Sequence, residues 1–460
     1  MKKVTTEEIA RACGGLCTGH ADITSVVIDN REVKPGSLFI AIKGERLDGH
    51  QFVDAAVEAG AAAVMVHNDG VKADVPVIRV RDTEQAFLDL ARAYRRSFDI
   101  PVVALTGSVG KTTTKEMIWH VLSAKYNAHK TEGNLNNSIG VPKVLLGLEA
   151  EHTAAVVEMG MNHKGEISVL TKTALPTMAV ITKVGVSHIE NLGSREGIMA
   201  AKLEILEGLE PGAPLIINSD NDMLATINKD SFDGKFRIRT FGIHGDADVT
   251  ATEIRYYEAS TEFTARVRRE DTVCSFAVLL PTTGEHNVYN ALAAISVGSE
   301  LGIEPVKISD ALANYTPTGM REKVETIGGI TLIEDCYNAS PDSVRALSNT
   351  LRIKGEGHRK IAVIADMLEL GAYSEEGHRN SGRYIAEAGV DMLLTYGQLA
   401  KLTADEAKKE GVLRVFEFDN KEELARHLIS IIKEGDVVAF KGSRGMKLED
   451  VIDLVKGEIG

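Results

Sequence analysis

The chain has 460 residues, 44% hydrophobic and 26% charged, ordinary values for a globular protein, and its length suggests about three domains. A formal net charge of −14 argues against a general nucleic-acid binder. It leaves room for a bound nucleotide, whose charge a few local donors and a metal ion can offset.

No run approaches the roughly 20 apolar residues of a membrane span. Lys2 and Lys3 are followed by no apolar signal-peptide stretch. Cys13 and Cys17 are spaced to share one helix face, but no second pair completes a zinc site. Together with Cys274 and Cys336 they read as reduced thiols, and a cytoplasmic protein is expected.

Residues 1–98 contain SLFIAI, a helical HQFVDAAVEAG, AAVMVHN and VPVIRV, which predict a small α/β domain. Its closing helix, TEQAFLDLARAYRRSF, ends before Asp99-Ile100-Pro101, where proline disfavours helix in the preceding residue. Residues 99–317 open with the apolar run VVALTG. AAVVEMG and AVITKVG follow as buried strands between helices, the pattern of a doubly wound, mostly parallel sheet. EFTARVRR and SFAVLL add antiparallel strands, and a helix over HNVYNALAAISVGSELG closes this block near Pro317. From 318 to 460, ITLIED, KIAVIADM, MLLTYG and DVVAFKG alternate with helices as a Rossmann-like domain. The expected fold is therefore α/β in three domains.

Thr106-Gly107-Ser108-Val109-Gly110-Lys111-Thr112-Thr113 lies between an apolar strand and a helix, the context a phosphate loop requires. Glycines let backbone N–H groups turn toward phosphates, and the helix N-terminus adds positive potential. Lys111 is placed to neutralise the β- and γ-phosphates, and Thr112 to coordinate Mg²⁺. The common motif has a glycine five residues before Gly110, where this chain has Leu105, so the loop is a shorter variant. By itself it does not separate a kinase from an ATPase or a ligase.

Ligands of open parallel sheets collect beyond the strands' carboxyl ends. Glu158 and His188 follow two such strands and suit Mg²⁺ ligation, directly or through water; singly, each also reads as a strand-end charge or a loop residue. Pattern alone reads Lys202 as a solvated helix lysine. Asn134, Asn136 and Asn137 either bind ligand oxygens or cap the next helix. Asn287 and Asn290, three apart at a helix start, either meet the edge of an adenine or serve as a cap.

Taken together, these pieces resemble the Mur ligase family of peptidoglycan synthesis. The likeness rests on TGSVGKTT, GNLNNSIGVP, Glu158 in VVEMG, His188 in SHIE, Lys202 in AAKLEI and GEHNVYNALAA. It continues through Arg321 in GMREKVE, Asp335 in EDCYNASPDS and KGSRGMKLE, from about Ile28 to Leu448. Asn30 stands where the family often has serine, and Cys336 with Ser340 departs from the common DSYNANP.

The resemblance implies an ADP-forming ligase that activates a carboxylate as an acyl phosphate and joins it to an amine. IDNREVKPGSLFIAIKGERLDGHQF, GNLNNSIGVP, YNASP and KGSR, with no DNPR-type motif, point to UDP-MurNAc-tripeptide and D-alanyl-D-alanine as reactants. The alternatives are a sister ligase adding another amino acid and a P-loop kinase or ATPase. The family further implies two Mg²⁺ ions, with Thr112 and Glu158 on the first and His188 on the second, and a CO₂-carbamylated Lys202, which reverses the surface reading. Asn287 and Asn290 are implied adenine contacts; Arg321 and Asp335 are implied phosphate and ribose contacts. Asn30, Arg31, Lys43, Asp48, Gly49 and His50 would hold the UDP end, and Asn134, Asn136, Asn137 and Asn338 would meet substrate. A monomer is expected.

Overall fold

The computed structural model describes every residue except Glu45, Glu270, Asp271, Thr318, Gly319 and Met320. The expected start of the third domain, residue 318, therefore lies outside the described residues, as do Gly319 and Met320 of GMREKVE and Glu45 of the N-terminal pattern. The chain forms two compact units. One comprises Met1–Thr106, Lys125–Val180 and Leu203–Leu215; the other comprises Gly107–Ala124, Ile181–Lys202 and Ile216–Gly460.

In the first unit, strands Ser25–Val27, Ser37–Ile40, Ala63–Val66 and Val77–Arg79 pair in parallel in that order, and Leu16–Cys17 adds an antiparallel edge. Ser37–Ile40 and Ala63–Val66 are buried at every position, as runs apolar on both faces must be in a covered parallel sheet. Helix Val53–Glu58 packs Val53 and Ala56 onto Phe39, Val64 and Val66. Cys13 and Cys17 share no helix face. The helix stops at Ala12, Gly14 adopts φ +63°, and Cys17 falls on the edge strand.

Helix Thr83–Arg96 starts where the Asp82 side chain accepts from the N–H groups of Glu84 and Gln85. Its buried stripe runs through Ala86, Phe87, Leu90, Ala91 and Tyr94. The last turn ties the following chain. Tyr94 donates to the Leu148 carbonyl at 2.6 Å and accepts from the Lys2 N–H at 2.6 Å. Arg95, 5% exposed, donates to the carbonyls of Phe98 (2.6 Å), Ala174 (3.1 Å), Ile100 (3.3 Å) and Leu175 (3.3 Å). Beyond it, Val102–Thr106, Ala154–Glu158 and Ala128–Lys130 pair in parallel around the central Ala154–Glu158. Met178–Ile181 and Pro214–Asn218 are further buried strands.

In the second unit, Val249–Tyr256, Thr261–Arg269 and Thr272–Leu280 form the expected antiparallel ribbon, while Arg237–Gly242 joins it in parallel. Helix Glu285–Glu300 packs on helix Lys111–Ser123, with Gly298 so close that a Cβ would stand 2.6 Å from Val121 Cγ1. The pattern did not separate out helix Pro305–Ala313, which begins with proline at its first turn.

A six-stranded sheet follows in the order Lys323–Ile327, Ile330–Asp335, Val437–Lys441, Lys360–Ala365, Met392–Tyr396, Arg414–Phe418. All its pairs are parallel except that of the edge strand Lys323–Ile327. Apolar clusters cover both faces, one around Ile333, Ala362 and Ala439, the other around Leu332, Val363 and Phe440. The α/β class with parallel-rich sheets is as expected from the sequence.

Replacing Arg95 by methionine leaves buried carbonyls without a donor. Each unsatisfied group costs about 1–3 kcal/mol, so a loss of about 3 kcal/mol is expected by urea unfolding. Arg96→Met, at an exposed neighbour, is expected to cost under about 0.5 kcal/mol.

Candidate active site

The phosphate loop follows the fully buried strand Val102–Thr106 and ends at helix Lys111–Ser123. Gly110 caps that helix at φ +80°, and a Cβ there would lie 2.7 Å from Asn290 Oδ1. A Cβ on Gly107 would stand 1.9 Å from Thr182 Oγ1. Both glycines are therefore required by geometry. Lys111 Nζ donates to the Gly107 carbonyl at 2.8 Å.

The loop is interlocked with the segment after Ile181. Thr182 Oγ1 donates to the Val109 carbonyl (2.7 Å), and the Ser108 N–H to the Lys183 carbonyl (2.8 Å). The Gly185 N–H donates to Ser108 Oγ (2.9 Å), and Ser187 Oγ to the Ser108 carbonyl (3.3 Å). Next on this segment comes His188, with φ +63° and its Nδ1 2.7 Å from Glu369 Oε2. Burial lowers the His188 pKa first, followed by the positive charges of Lys111 and Lys202, while Glu369 works in the opposite direction.

Lys202 overturns the surface reading. It sits in helix Arg195–Leu203 with 2% exposure, buried together with Ile198 and Ala201 of the same helix. Burial, and then the charge of Lys111, holds its pKa well below the ordinary lysine value. Both influences favour the uncharged amine over the ammonium.

Asn287 (1% exposed) and Asn290 (6%) are likewise buried. Thr114 Oγ1 donates to Asn290 Oδ1 at 2.9 Å, and Asn290 Nδ2 to Asn287 Oδ1 at 3.2 Å. Asn287 Nδ2 donates to the Thr283 carbonyl (2.9 Å) and to Glu322 Oε2 (3.0 Å). Glu322 also accepts from Thr350 Oγ1 (3.1 Å) and faces His286 Nε2 at 2.8 Å. Burial would raise the Glu322 pKa, but His286, Asn287 and Thr350 together hold it down to about 2. His286 is raised despite its burial, by the charge and hydrogen bond of Glu322.

Of the other candidates in this unit, Thr113 faces Tyr315, Arg321 lies 4.6 Å over the Tyr337 ring, and Asp335 pairs with Lys441. Burial raises the Asp335 pKa, and Lys441 opposes it. Lys183 pairs with Asp342, in the first turn of helix Pro341–Lys354, at 2.6 Å. A cavity of about 230 Å³ is lined by His188, Tyr337, Asn338, Leu368, Glu369 and Ser443, among others.

The first unit holds the remaining candidates. Glu158, 1% exposed, accepts from Asn136 Nδ2 at 2.8 Å. Asn137 accepts from the N–H groups of Ile139 and Gly140, a capping role; Asn134 is exposed. Arg31 pairs with Asp29 at 2.6 Å, beside Asn30 in the same short helix. Lys43 and Asp48 form a bridge, and Gly49 packs on the Ile42 backbone. His50 Nε2 accepts from the His67 N–H (3.1 Å), so its Nδ1 carries the proton donated to Asp48 (2.6 Å).

Sequence reasoning missed Thr182, Lys183, Asp342, Glu322 and Glu369. Glu322 adjoins a motif arginine, the only local signal available; the others become neighbours through tertiary contacts alone.

Comparison with known proteins agrees along the whole chain. Residues 22–95 match the model described as Mur ligase family, catalytic domain; 105–298 match the Mur ligase middle domain; 321–444 match the Mur ligase, glutamate ligase domain. The chain belongs to the Mur ligase family. One relative, the UDP-N-acetylmuramoyl-tripeptide--D-alanyl-D-alanine ligase of Bacillus subtilis (strain 168), is 40% identical, with 100% of both chains covered. A crystal structure of MurF from Acinetobacter baumannii superposes with a TM-score of 0.91 at 33% identity, covering 99% of each chain. The MurF ligase of Thermotoga maritima in complex with ADP gives 0.82 at 30% identity, covering 95% of this chain and 97% of that one.

Two outcomes test this geometry. Gly107→Ala must displace Thr182 or the loop, and ADP affinity measured by calorimetry is expected to fall at least about 100-fold, equivalent to about 2.7 kcal/mol. The His286–Glu322 pair carries a definite pH sign. The stability gained from raised His286 is complete below its unfolded value of about 6.5 and is lost as pH rises through its folded value. The stability gap between wild type and Glu322→Gln should therefore narrow as pH rises above about 6.5 in urea titrations.

Proposed function

We infer that the chain is an ATP-dependent ligase joining D-alanyl-D-alanine to UDP-MurNAc-tripeptide in peptidoglycan precursor synthesis. The end-to-end likeness to ligases named for that reaction supports the choice of reactants. The chemistry is carried by one observation, a buried Lys202 of depressed pKa electrically coupled to the phosphate-loop Lys111.

In this reading residues 1–98 hold the UDP end through Asn30, Arg31, Lys43, Asp48, Gly49 and His50. Residues 99–317 bind ATP, and 318–460 contribute Arg321 and Asp335 to the nucleotide and Asn338 to the incoming dipeptide. A need for ATP and a UDP-linked substrate, together with four unpaired thiols, supports a cytoplasmic location.

In this reading Lys111 neutralises the γ-phosphoryl group as it passes to the tripeptide carboxylate. That transfer releases ADP and leaves an acyl phosphate, whose phosphate is a good leaving group where oxide is not. The dipeptide amine adds to the acyl carbon, phosphate departs, and the nitrogen loses a proton to leave the amide. Water must be kept out while the acyl phosphate exists. The Lys183–Asp342 pair and the buried Glu322 cluster join segments before and after Pro317 and suit that task.

Among the described residues, no group of three or more His, Cys, Asp or Glu side chains gathers to hold a metal by itself. Magnesium carried by a nucleotide needs fewer protein ligands, since phosphates and waters fill the rest. By the family likeness, Thr112 and Glu158 would be ligands of one ion and His188 of another, and a carbamylated Lys202 would supply a further anionic oxygen. Bound magnesium would draw charge from the phosphoryl oxygens and hold the carboxylate near them. A neutral Lys202 amine can add to CO₂, forming an N–C bond and releasing one proton. The resulting anion would attract Lys111, where the ammonium repels it.

Incubation with ATP, UDP-MurNAc-tripeptide and single amines tests the assignment. Amide product and phosphate release are expected only with tripeptide and D-alanyl-D-alanine together; product with a single amino acid alone would indicate a sister ligase. Lys202→Ala is expected to abolish ligation, and short carboxylic acids to restore part of it. Full activity without them would refute the carbamate. Lys111→Ala should reduce turnover by at least about 1,000-fold, roughly 4 kcal/mol of transition-state stabilisation.

A further inference from the structure

Of the residues placed at the UDP end, His50 has no hydrogen bond left to offer a ligand. Its side chain is 7% exposed, and both ring nitrogens are spent inside the protein. Nε2 accepts from the His67 N–H (3.1 Å), and Nδ1 donates to Asp48 (2.6 Å). The neighbouring ring of His67 is placed differently. His67 directly follows strand Ala63–Val66, and the Lys43–Asp48 bridge comes just after the adjacent parallel strand Ser37–Ile40. The two imidazoles meet edge to face with centroids 4.2 Å apart. All of them lie beyond the carboxyl ends of parallel strands, where ligands of such sheets collect.

The His67 ring is fixed through one nitrogen. Its Nδ1 lies 3.1 Å from Thr83 Oγ1, and that hydroxyl gives its single hydrogen to the Ala41 carbonyl at 2.8 Å. The hydroxyl therefore accepts from the ring, and His67 Nδ1 carries the hydrogen it receives. Neither partner is free to turn away. Thr83 is 1% exposed in the first turn of helix Thr83–Arg96, and the Ala41 N–H is held by the Met65 carbonyl at 2.9 Å. In the neutral ring the lone pair is then on Nε2. That nitrogen has no partner among the described residues, and it is not buried but reaches the surface of a half-buried side chain.

We propose that His67 Nε2 accepts a hydrogen bond from a donor of the uridine moiety, the imide N–H of uracil or a ribose hydroxyl. Thr83, anchored on Ala41, orients the ring for that role. An acceptor held in place rejects a ligand that brings no donor to it, because a polar group is then left unpaired. Uracil carries a hydrogen on N3 where cytosine carries a lone pair, so the same nitrogen can read the base. The inference rests on the reading that residues 1–98 hold the UDP end.

The test uses the full chain with ADP saturating the phosphate loop, at about pH 8, above the ordinary histidine value of about 6.5. UDP, CDP and the 2′- and 3′-deoxy forms of UDP are titrated by calorimetry. His67→Phe keeps a ring but loses the nitrogens, and its UDP affinity is expected to fall about 10-fold. His67→Gln, whose amide oxygen extends about as far as Nε2, should stay within about threefold of wild type. If the imide is the donor, wild type prefers UDP to CDP and His67→Phe erases that preference. If a ribose hydroxyl is the donor, the preference erased is that over the matching deoxy form. Wild-type affinities in His67→Phe, a loss equal across all probes, or equal losses in His67→Phe and His67→Gln overturn the proposal. Arg31→Ala and Lys43→Ala test the underlying reading separately. If neither weakens UDP binding, the placement of UDP falls and the proposal with it; if they weaken it and His67→Phe does not, only the role of His67 is removed.

Discussion

Everything in the candidate site depends on the interlock between the phosphate loop and the segment Thr182–Ser187. Four hydrogen bonds join Ser108, Val109, Lys183, Gly185 and Ser187, with Thr182 filling the space a side chain on Gly107 would need. The loop that carries Lys111 and the turn that carries His188 thus share one frame. Electrostatic stabilisation of a transferring phosphoryl group works only with charges fixed in advance, since charges that must reorganise give back much of what they supply.

The same frame concentrates positive charge. Lys111 lowers the pKa of both His188 and Lys202, and burial removes the water that would otherwise screen them. A site with that balance favours anions. A second chain of contacts runs from Gly110 through Asn290 and Asn287 to Glu322 and on to Thr350 of helix Pro341–Lys354. Asn287, Asn290 and Thr350 are buried and Glu322 is mostly so, and a shift at one end must be met by rearrangement along the line.

Much of this was legible in the sequence for identifiable reasons. Val102–Thr106 and Ala154–Glu158 are continuous apolar runs, and the glycine–lysine–threonine order after the first of them has few other uses. Helix Thr83–Arg96 announced itself by period and by the proline beyond it. Strands Lys323–Ile327 and Arg414–Phe418 escaped notice because as sheet edges they are only half covered, and their charged residues hide the alternation. Lys202 was misread because a buried lysine has the same sequence signature as a solvated one; only the family likeness corrected it. Glu369 carried no signal, since it gains its meaning from a partner far away in the chain.

Tyr94 and Arg95 bear on how such a protein can be taken apart. Asp99-Ile100-Pro101 reads as a linker, yet the two side chains just before it bond to the chain at Lys2, Leu148, Ala174 and Leu175. The apparent joint is a seam stitched from both sides. Exchanging the first hundred residues between relatives would therefore preserve the fold only if the backbone at Leu148, Ala174 and Leu175 came along in matching shape. Recombination at this junction is constrained by residues that lie nowhere near the crossover.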